Sequence, residues 1–355
     1  MRIGTDDEAA DKPLLAALRG QPVWPPPLWL MRQAGRYLPE YRAVRARVPD
    51  FIALCTTPEL AAEVTLQPIR RYRFDAAILF SDILMLPWAL GHGLAFREGE
   101  GPVLPPLRTA AEVERLDPER ARGAIAPILE TVRRVRDGLA AEGFARTALI
   151  GFAGAPFTVA CYMVEGGGSK EFAATRTMAY TRPDLFAALM ARLTDATIAY
   201  LTAQVEAGAE TVMLFDSWAG VLSPQLFRRH AIAPARRIVA ALRASFPRLP
   251  VIGFPRLAGT MLGEYAAGTG VDGVGVDTAT ELGQARRLVG AQVALQGNID
   301  PLALLAGGAA LADAADDALA AARAGRFVVN LGHGILPPTP PEHVAALVAR
   351  VRAAA

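Results

Sequence analysis

The sequence predicts an α/β fold: a single (β/α)8 barrel, with an N-terminal arm before it and a small hairpin excursion within it. Three observations predict it. First, eight short apolar runs of strand length alternate with longer stretches of helical periodicity from residue 28 to the end of the chain. Second, these runs are nearly continuous in apolar residues rather than alternating, as strands covered on both faces must be. Third, polar residues gather within a few positions after the runs. In a barrel those ends share one face, so residues scattered along the chain converge on one mouth. A doubly wound open sheet is the alternative, weakened because no Gly-x-Gly-x-x-Gly turn follows the first run.

Taken in order, residues 1–27 form the arm, acidic at Asp6, Asp7, Glu8 and Asp11 and closing on Val23-Trp24-Pro25-Pro26-Pro27. Its expected place is the bottom or edge of the barrel, which spans residues 28–355. Leu28–Met31 is the first strand, broken by a basic loop through Arg36 in which Gly35 frees the backbone and Pro39 stops any long helix. Thr57-Pro58-Glu59 reads as N-cap, first-turn proline and first-turn acid of a helix reaching about Tyr72. Ala76–Phe80 is the second strand. Dense Gly and Pro from Gly91 to Arg108, around Leu94-Ala95-Phe96, predict the hairpin. A helix follows from about Ala121 to Glu142. The remaining strands fall at Thr147–Phe152, Thr211–Phe215, Pro250–Phe254, Gly273–Val276, Val293–Gln296 and Phe327–Leu331, with helices between them that include Pro183–Glu206 and Pro224–Ala244.

Composition bounds the function. Of 355 residues 52% are hydrophobic and 20% charged, which describes a globular chain with ample core. No run of about eighteen uncharged apolar residues suggests a membrane span. Lys+Arg 37 against Asp+Glu 35 leaves +2, too balanced for binding nucleic acid through bulk charge, so any anion site must be local. Met1 to Gly20 fits neither a secretory signal nor an acid-poor transit peptide, which makes a cytoplasmic protein the expectation. Cys55 and Cys161 lie far apart, have no metal-ligand spacing and read as buried thiols in a reducing compartment.

The residues after the strands carry the chemistry. They include Arg32 and Arg36, Asp82, Asp216 and Ser217, Arg256, Asp277, Asn298 and Asp300, and Asn330 and His333. Arginine offers a planar fork of donors that matches carboxylate or phosphate, so Arg32 and Arg36 on one tight loop suggest a polyanionic ligand; surface pairing with acids such as Glu40 is the plainer alternative. Asp82 sits in Phe80-Ser81-Asp82-Ile83-Leu84, a carboxylate among large apolar residues, where it is either a helix cap or a working group. Gly166-Gly167-Gly168-Ser169-Lys170 has the wrong order for a P-loop, which needs Gly-Lys-Ser/Thr opening a helix; a mobile lid is the alternative. Ser217 lies outside any Gly-x-Ser-x-Gly elbow and reads as a hydrogen-bond donor. His333, between Gly332 and Gly334, can approach a ligand closely, whereas His92, His230 and His343 read as surface or packing residues.

The string Arg32-Gln33-Ala34-Gly35-Arg36-Tyr37-Leu38-Pro39-Glu40-Tyr41 resembles the N-terminal signature of the uroporphyrinogen decarboxylase family, and five separated signatures occur in that family's order between about residues 24 and 350. The resemblance implies substrate contact by Arg32, Gln33, Ala34, Gly35, Arg36, Asp82, Tyr162, Ser217 and His333. It gives Asp82 the catalytic place facing the pyrrole nitrogens and Tyr162 a place against the substrate. Two departures are small: Phe157 stands where many relatives have Trp, and Thr278 after Gly275-Val276-Asp277 where an aromatic is common.

The activity implied by this resemblance is removal of the carboxyl groups of four acetate side chains, converting uroporphyrinogen III to coproporphyrinogen III on the way to haem and other tetrapyrroles. It also implies a small-molecule substrate as partner and a homodimer. The missing zinc spacing, P-loop and dinucleotide fingerprint lead to the expectation of no cofactor and no metal, and charge and composition to that of no nucleic acid or membrane. The proton donor stays open, the arginine matching Arg32 being one candidate. Two rivals remain. A zinc methyltransferase of the same superfamily needs a His/Cys ligand set that two isolated cysteines do not supply. A tetrapyrrole carrier could keep the arginines, Tyr162 and His333, yet has little reason to hold an unpaired carboxylate.

Overall fold

In a computed structural model of the protein, residues 12–97, 99 and 101–354 are described; the acidic residues Asp6, Asp7, Glu8 and Asp11 of the arm lie outside them. The described strands are β1 (Ala76–Ile78), β2 (Ala95–Arg97), β3 (Gly101–Val103), β4 (Ala148–Gly154), β5 (Thr211–Asp216), β6 (Val251–Pro255), β7 (Gly273–Gly275), β8 (Ala294–Ile299) and β9 (Phe327–Leu331). Seven of them form one parallel sheet in the order β1-β4-β5-β6-β7-β8-β9, each joined to the next through helices that cover the outer face. The sheet residues are buried almost throughout, which explains why the runs are apolar on both faces. β2 and β3 pair antiparallel, Phe96 opposite Pro102, as the excursion.

The eighth predicted strand is present only in stunted form. At Leu28 the chain makes a single parallel bridge to Val329. Around it Val329 N–H donates to Pro27 O at 2.8 Å and Trp29 N–H to Val329 O at 3.3 Å, while Asp75 N–H donates to Leu28 O at 3.0 Å on the opposite side. Residues 27–29 therefore close the barrel between β9 and β1. The strand cannot grow because prolines 25–27 have no N–H to donate and Arg32 turns into the left-handed region at φ 61°. Side chains complete the seam where the ladder lapses. Leu28 N–H donates to Asp75 Oδ2 (2.7 Å), Met31 N–H to Asn330 Oδ1 (2.9 Å) and Leu30 N–H to Gln33 Oε1 (3.1 Å), while Gln33 Nε2 donates to Ala76 O (3.0 Å).

At the opposite end, helix Pro13–Arg19 buries Leu14, Leu15 and Leu18 beneath the starts of the strands. Leu18 packs so closely that a Cβ on Gly273, the first residue of β7, would lie 2.7 Å from its Cδ2. Lys12 joins this end through Glu210 (2.7 Å) and Thr147 O (3.2 Å). Helix Pro183–Ala207 is long and apolar enough to cross a membrane by length and composition, but it lies along β4 and β5 with Leu189, Leu193 and Tyr200 buried.

Three helix predictions shift. Pro58–Tyr72 starts where expected, but Thr57 Oγ1 donates backwards to Ala53 O (2.7 Å) and makes no cap bond to the helix. The segment 121–142 splits into Pro118–Ala124 and Ala126–Ala141, with Pro127 near the start of the second piece and the first capped by Asp117. Pro224–Ser245 contains a π-helical turn at Arg228–Ile232, because Pro234 cannot donate to the carbonyl four residues back. His230, in that turn, is buried edge-on to Phe186 at 4.8 Å, and His343 Nδ1 lies 3.0 Å from Leu304 O, so both are packing residues.

The seam makes a prediction. Gln33→Leu leaves the Leu30 N–H in a dry joint without its acceptor, and a buried unsatisfied group costs about 1–3 kcal/mol. Denaturant unfolding of the variant should show a loss of about that size. An unchanged midpoint and slope would mean that the barrel closes without this brace.

Candidate functional site

The C-terminal ends of the strands surround a cavity of about 500 Å3, within the usual range for a site that encloses a small molecule. Phe152, Phe215 and Phe254, from β4, β5 and β6, form its floor, and Phe96 and Pro102 from the hairpin overhang it. Phe96 is seated edge-on against Phe51 at 4.8 Å, and Phe51 against Phe80 at 5.7 Å, which continues the apolar wall from the hairpin to the end of β1. Into this wall come Arg32, Ala34, Gly35, Arg36, Asp82, Tyr162, Ser217 and His333. Gln33 does not join them: its fully buried side chain is turned into the seam.

Among the described residues, neither loop arginine forms an ion pair with an acid. Glu40, the nearby candidate, forms a two-point contact with Arg71 instead (2.7 and 3.0 Å), and Arg42 holds the loop through the Arg36 and Tyr37 carbonyls. Arg32 and Arg36 are exposed to the mouth, and neither side chain has a hydrogen-bond partner among the described residues. Gly334 makes room for this arrangement, since a Cβ there would lie 2.4 Å from Arg32 Cδ.

Asp82 stands just beyond β1. One carboxylate oxygen accepts the Leu84 N–H at 2.8 Å; the other has no hydrogen-bond partner among the described residues. Burial raises the carboxyl above its usual range, opposed by the Leu84 N–H and by the charge of Arg32. Charge on Asp82 is therefore held at some cost. His333 moves the other way: burial, then the charges of Arg256 and Arg32, push its imidazole down to about 4, so it is neutral near pH 7 and acts as a hydrogen-bonding group.

Tyr162 lies on helix Pro156–Glu165, which follows β4, and Ser217 follows β5. A clamp joins the two. Thr158 Oγ1 donates to Asp216 Oδ1 at 2.6 Å and accepts the Trp218 N–H at 3.1 Å. Tyr162 is one helical turn from Thr158, and its ring meets Trp218 at 6.1 Å. Gly166 ends the helix in the left-handed region, and its carbonyl accepts the Leu104 N–H (3.0 Å), tying the glycine stretch to the hairpin. This clamp was hidden in sequence, because nothing in Asp216-Ser217-Trp218 shows that the aspartate turns away from the cavity to Thr158 and the serine into it.

Other strand-end residues stitch the rim rather than line the cavity. Asp277 accepts Leu257 N–H and Ala279 N–H (2.8 and 2.9 Å), Asn298 donates to Asp277 O and Thr280 O, and Asp300 caps helix Pro301–Ala306. Thr278, where an aromatic was expected, abuts Gly332 so closely that a Cβ there would lie 2.3 Å from Thr278 Oγ1. Phe157 is fully buried. Cys55 and Cys161 are buried free thiols whose pKa burial raises.

The sequence profile of a family described as "Uroporphyrinogen decarboxylase (URO-D)" matches residues 9–354. A uroporphyrinogen decarboxylase of Granulibacter bethesdensis is 62% identical over 96% of this chain and 99% of its own length. One from Gluconacetobacter diazotrophicus is 57% identical over 96% of this chain and 98% of its own length. Among solved structures, a methyltransferase from Methanosarcina mazei superposes with a TM-score of 0.76 at 22% identity, over 97% of this chain and 98% of that one, a likeness of fold.

The clamp carries a pH prediction. Asp216 is almost wholly buried without a cation, and burial raises its carboxyl from 3.8 to about 7 against the Thr158 hydrogen bonds. A raised folded-state pKa gives stability that is fully present below the unfolded value and lost as pH rises through the folded one. Between about pH 4 and 7 this group should therefore lower stability by up to about 1.4 kcal/mol per pH unit. Asp216→Asn should remove that slope in unfolding measured across pH 4 to 8; a variant with the wild-type slope would show that another group sets it.

Proposed function

The chain belongs to the uroporphyrinogen decarboxylase family, and from that premise we propose that it removes the four acetate carboxyl groups of uroporphyrinogen III to give coproporphyrinogen III. The observation that carries this reading is one sequestered carboxylate, Asp82, in an aromatic-floored cavity whose mouth holds two arginines with no hydrogen-bond partner among the described residues. A ligand with many carboxylates and an electron-rich centre is the complement of that arrangement.

The chemistry needs little from the protein beyond charge and position. A proton adds to the α-carbon of the pyrrole next to the carbon that bears the acetate, leaving a positively charged iminium conjugated with that carbon. The bond between the acetate methylene and its carboxylate then breaks, carbon dioxide leaves, and the electron pair neutralises the iminium as an exocyclic double bond. Protonation of that methylene and loss of the ring proton restore the pyrrole with a methyl group. The substrate is its own electron sink. Asp82 supplies a negative charge where positive charge develops; burial disfavours that charge in the free protein, and the iminium relieves it in the transition state. Arg32 and Arg36 hold carboxylates that are not reacting, Tyr162 and Ser217 offer hydroxyls at the wall, and neutral His333 offers an imidazole hydrogen bond.

Asp82→Asn tests this reading. Shape and one acceptor survive while the full charge is lost, so single-turnover carbon dioxide release should fall by about a hundredfold or more, with folding and most binding retained. Asp82→Glu, with the charge displaced by one methylene, should fall between. The residual wild-type rate should also decline on an acid limb lying above the ordinary aspartate range, and Asp82→Asn should lack that limb. Near-normal chemistry in folded Asp82→Asn would leave the mechanism without its central charge.

The same reading has the chain working without metal or organic cofactor, in the cytoplasm, as a homodimer whose barrel mouths face one another. The family resemblance supports the dimer, and the self-sufficient chemistry of the substrate supports the lack of a cofactor. One preparation tests both of these: after exhaustive chelation it should keep full activity and sediment as a dimer at assay concentration. A metal needed to restore turnover, or a fully active monomer, would overturn the corresponding part.

A further inference from the structure

Three aromatic rings meet behind one wall of the cavity. Tyr162, which lines the cavity, packs edge-on against Trp218 at 6.1 Å and against Phe172 at 6.3 Å, and Phe172 meets Trp218 at 4.7 Å. The backbones are held as well. Trp218 N–H donates to Thr158 Oγ1 (3.1 Å), one turn before Tyr162 on the same helix, and the fully buried Phe172 has its N–H on Ser169 Oγ (3.1 Å). Tyr162 and Trp218 are thus tied at the main chain and at their rings.

One polar group of this cluster has no partner. The Trp218 indole N–H is buried and makes no hydrogen bond of normal geometry among the described residues. A buried donor in that state costs free energy, and of the two rings it packs against only Tyr162 carries an acceptor. Trp218 also lowers the Tyr162 pKa, against the larger rise that burial causes, as a donor beside the phenol oxygen does. Hydrogen bonds in an empty site are often long and tighten around the ligand.

We infer that Trp218 is a positioning residue of the site: its indole N–H donates to the Tyr162 hydroxyl oxygen, so that the hydroxyl's own proton turns into the cavity and meets a carboxylate of the ligand. A free phenol can present either its proton or its lone pairs. Ionised carboxylates only accept, so the first setting binds them and the second repels them. The indole, which can only donate, selects the first. The inference rests on the decarboxylase reading for the identity of the ligand.

The test uses the full chain with Tyr162→Phe, Trp218→Phe and the double variant. The probe is uroporphyrin, the oxidised octacarboxylate, titrated by its own fluorescence, so no turnover is needed. Affinity should fall about tenfold or more in Tyr162→Phe, which loses a hydrogen bond to a charged acceptor, and about threefold in Trp218→Phe, which keeps the hydroxyl but frees its rotation. The double variant should bind no worse than Tyr162→Phe, because the indole acts through the phenol. In NMR of the uroporphyrin complex, the Trp218 indole N–H, identified by its contacts with the Phe172 ring, should exchange with solvent faster in Tyr162→Phe than in wild type. Losses that multiply in the double variant, unchanged affinity in folded Trp218→Phe, or an indole exchange rate indifferent to Tyr162→Phe would each overturn the proposal. If Trp218→Phe does not fold, the exchange comparison between wild type and Tyr162→Phe decides. Wild-type protein that binds uroporphyrin but releases no carbon dioxide would defeat the decarboxylase reading and leave these comparisons intact.

Discussion

Closure of the barrel depends on a joint with too little backbone pairing to hold by itself. Residues 27–29 supply only a few main-chain hydrogen bonds between β9 and β1, because proline precedes them and a left-handed arginine follows. Three side chains, Asp75, Asn330 and Gln33, take the donors that a longer strand would have paired. An unsatisfied buried N–H costs as much as a good contact contributes, so these polar residues are as much part of the barrel wall as Leu28 or Trp29. The same shortness serves the site. Since the strand stops at Met31, the chain turns at once, and Arg32 and Arg36 leave the seam directly at the cavity mouth.

The charges around the cavity follow from that geometry. Acids that could neutralise the mouth are engaged elsewhere: Glu40 by Arg71, Asp277 by backbone N–H groups, Asp300 by a helix start. Asp82 remains, just beyond β1 and partly desolvated. A positive rim with one sequestered negative group separates two tasks. On the proposed function, the rim would attract and orient a polyanion without demanding precise geometry at any one arm, while the interior carboxylate would act only on charge that forms next to it. His333 adds no further positive charge, because burial first, and then the charges of Arg256 and Arg32, keep the imidazole neutral.

Much of this was legible in the sequence. Strand identity and order could be read because parallel strands under helices are apolar without interruption, and β9 matches its predicted bounds residue for residue. Eight of the nine expected site residues line the cavity, because a barrel gathers whatever follows its strands. What could not be read depends on which way a side chain turns after the strand ends. Gln33 lies inside the arginine motif yet faces the seam, and Asp216 lies beside Ser217 yet faces Thr158. The Thr57 cap failed for a related reason: its hydroxyl found the Ala53 carbonyl of the preceding turn first, a local competition that the capping pattern does not encode. The π-turn before Pro234 was hidden because proline in a helix announces a disturbance without saying which kind.

A single Asp82 has a further consequence for any substrate that bears four reacting arms. A carboxylate at the centre of the ring faces all four pyrroles alike, so on the proposed function the ligand can change its orientation, in place or after release, between successive losses of carbon dioxide without losing that charge. Contacts at the mouth therefore cannot be dedicated to particular arms; each must accept acetate or propionate alike and let go again. Exposed guanidiniums meet that requirement. Ion pairs in contact with water are worth roughly 0–1 kcal/mol each, enough together to hold a polyanion and little enough separately to exchange. A deeply buried cation would bind its arm too tightly to permit turning, and the deepest charge in the cavity is instead the carboxylate, which repels arms that still carry theirs. The arrangement favours the electron-rich centre of the ring against Asp82 and keeps the carboxylates outward, in whichever of the four settings the ring arrives.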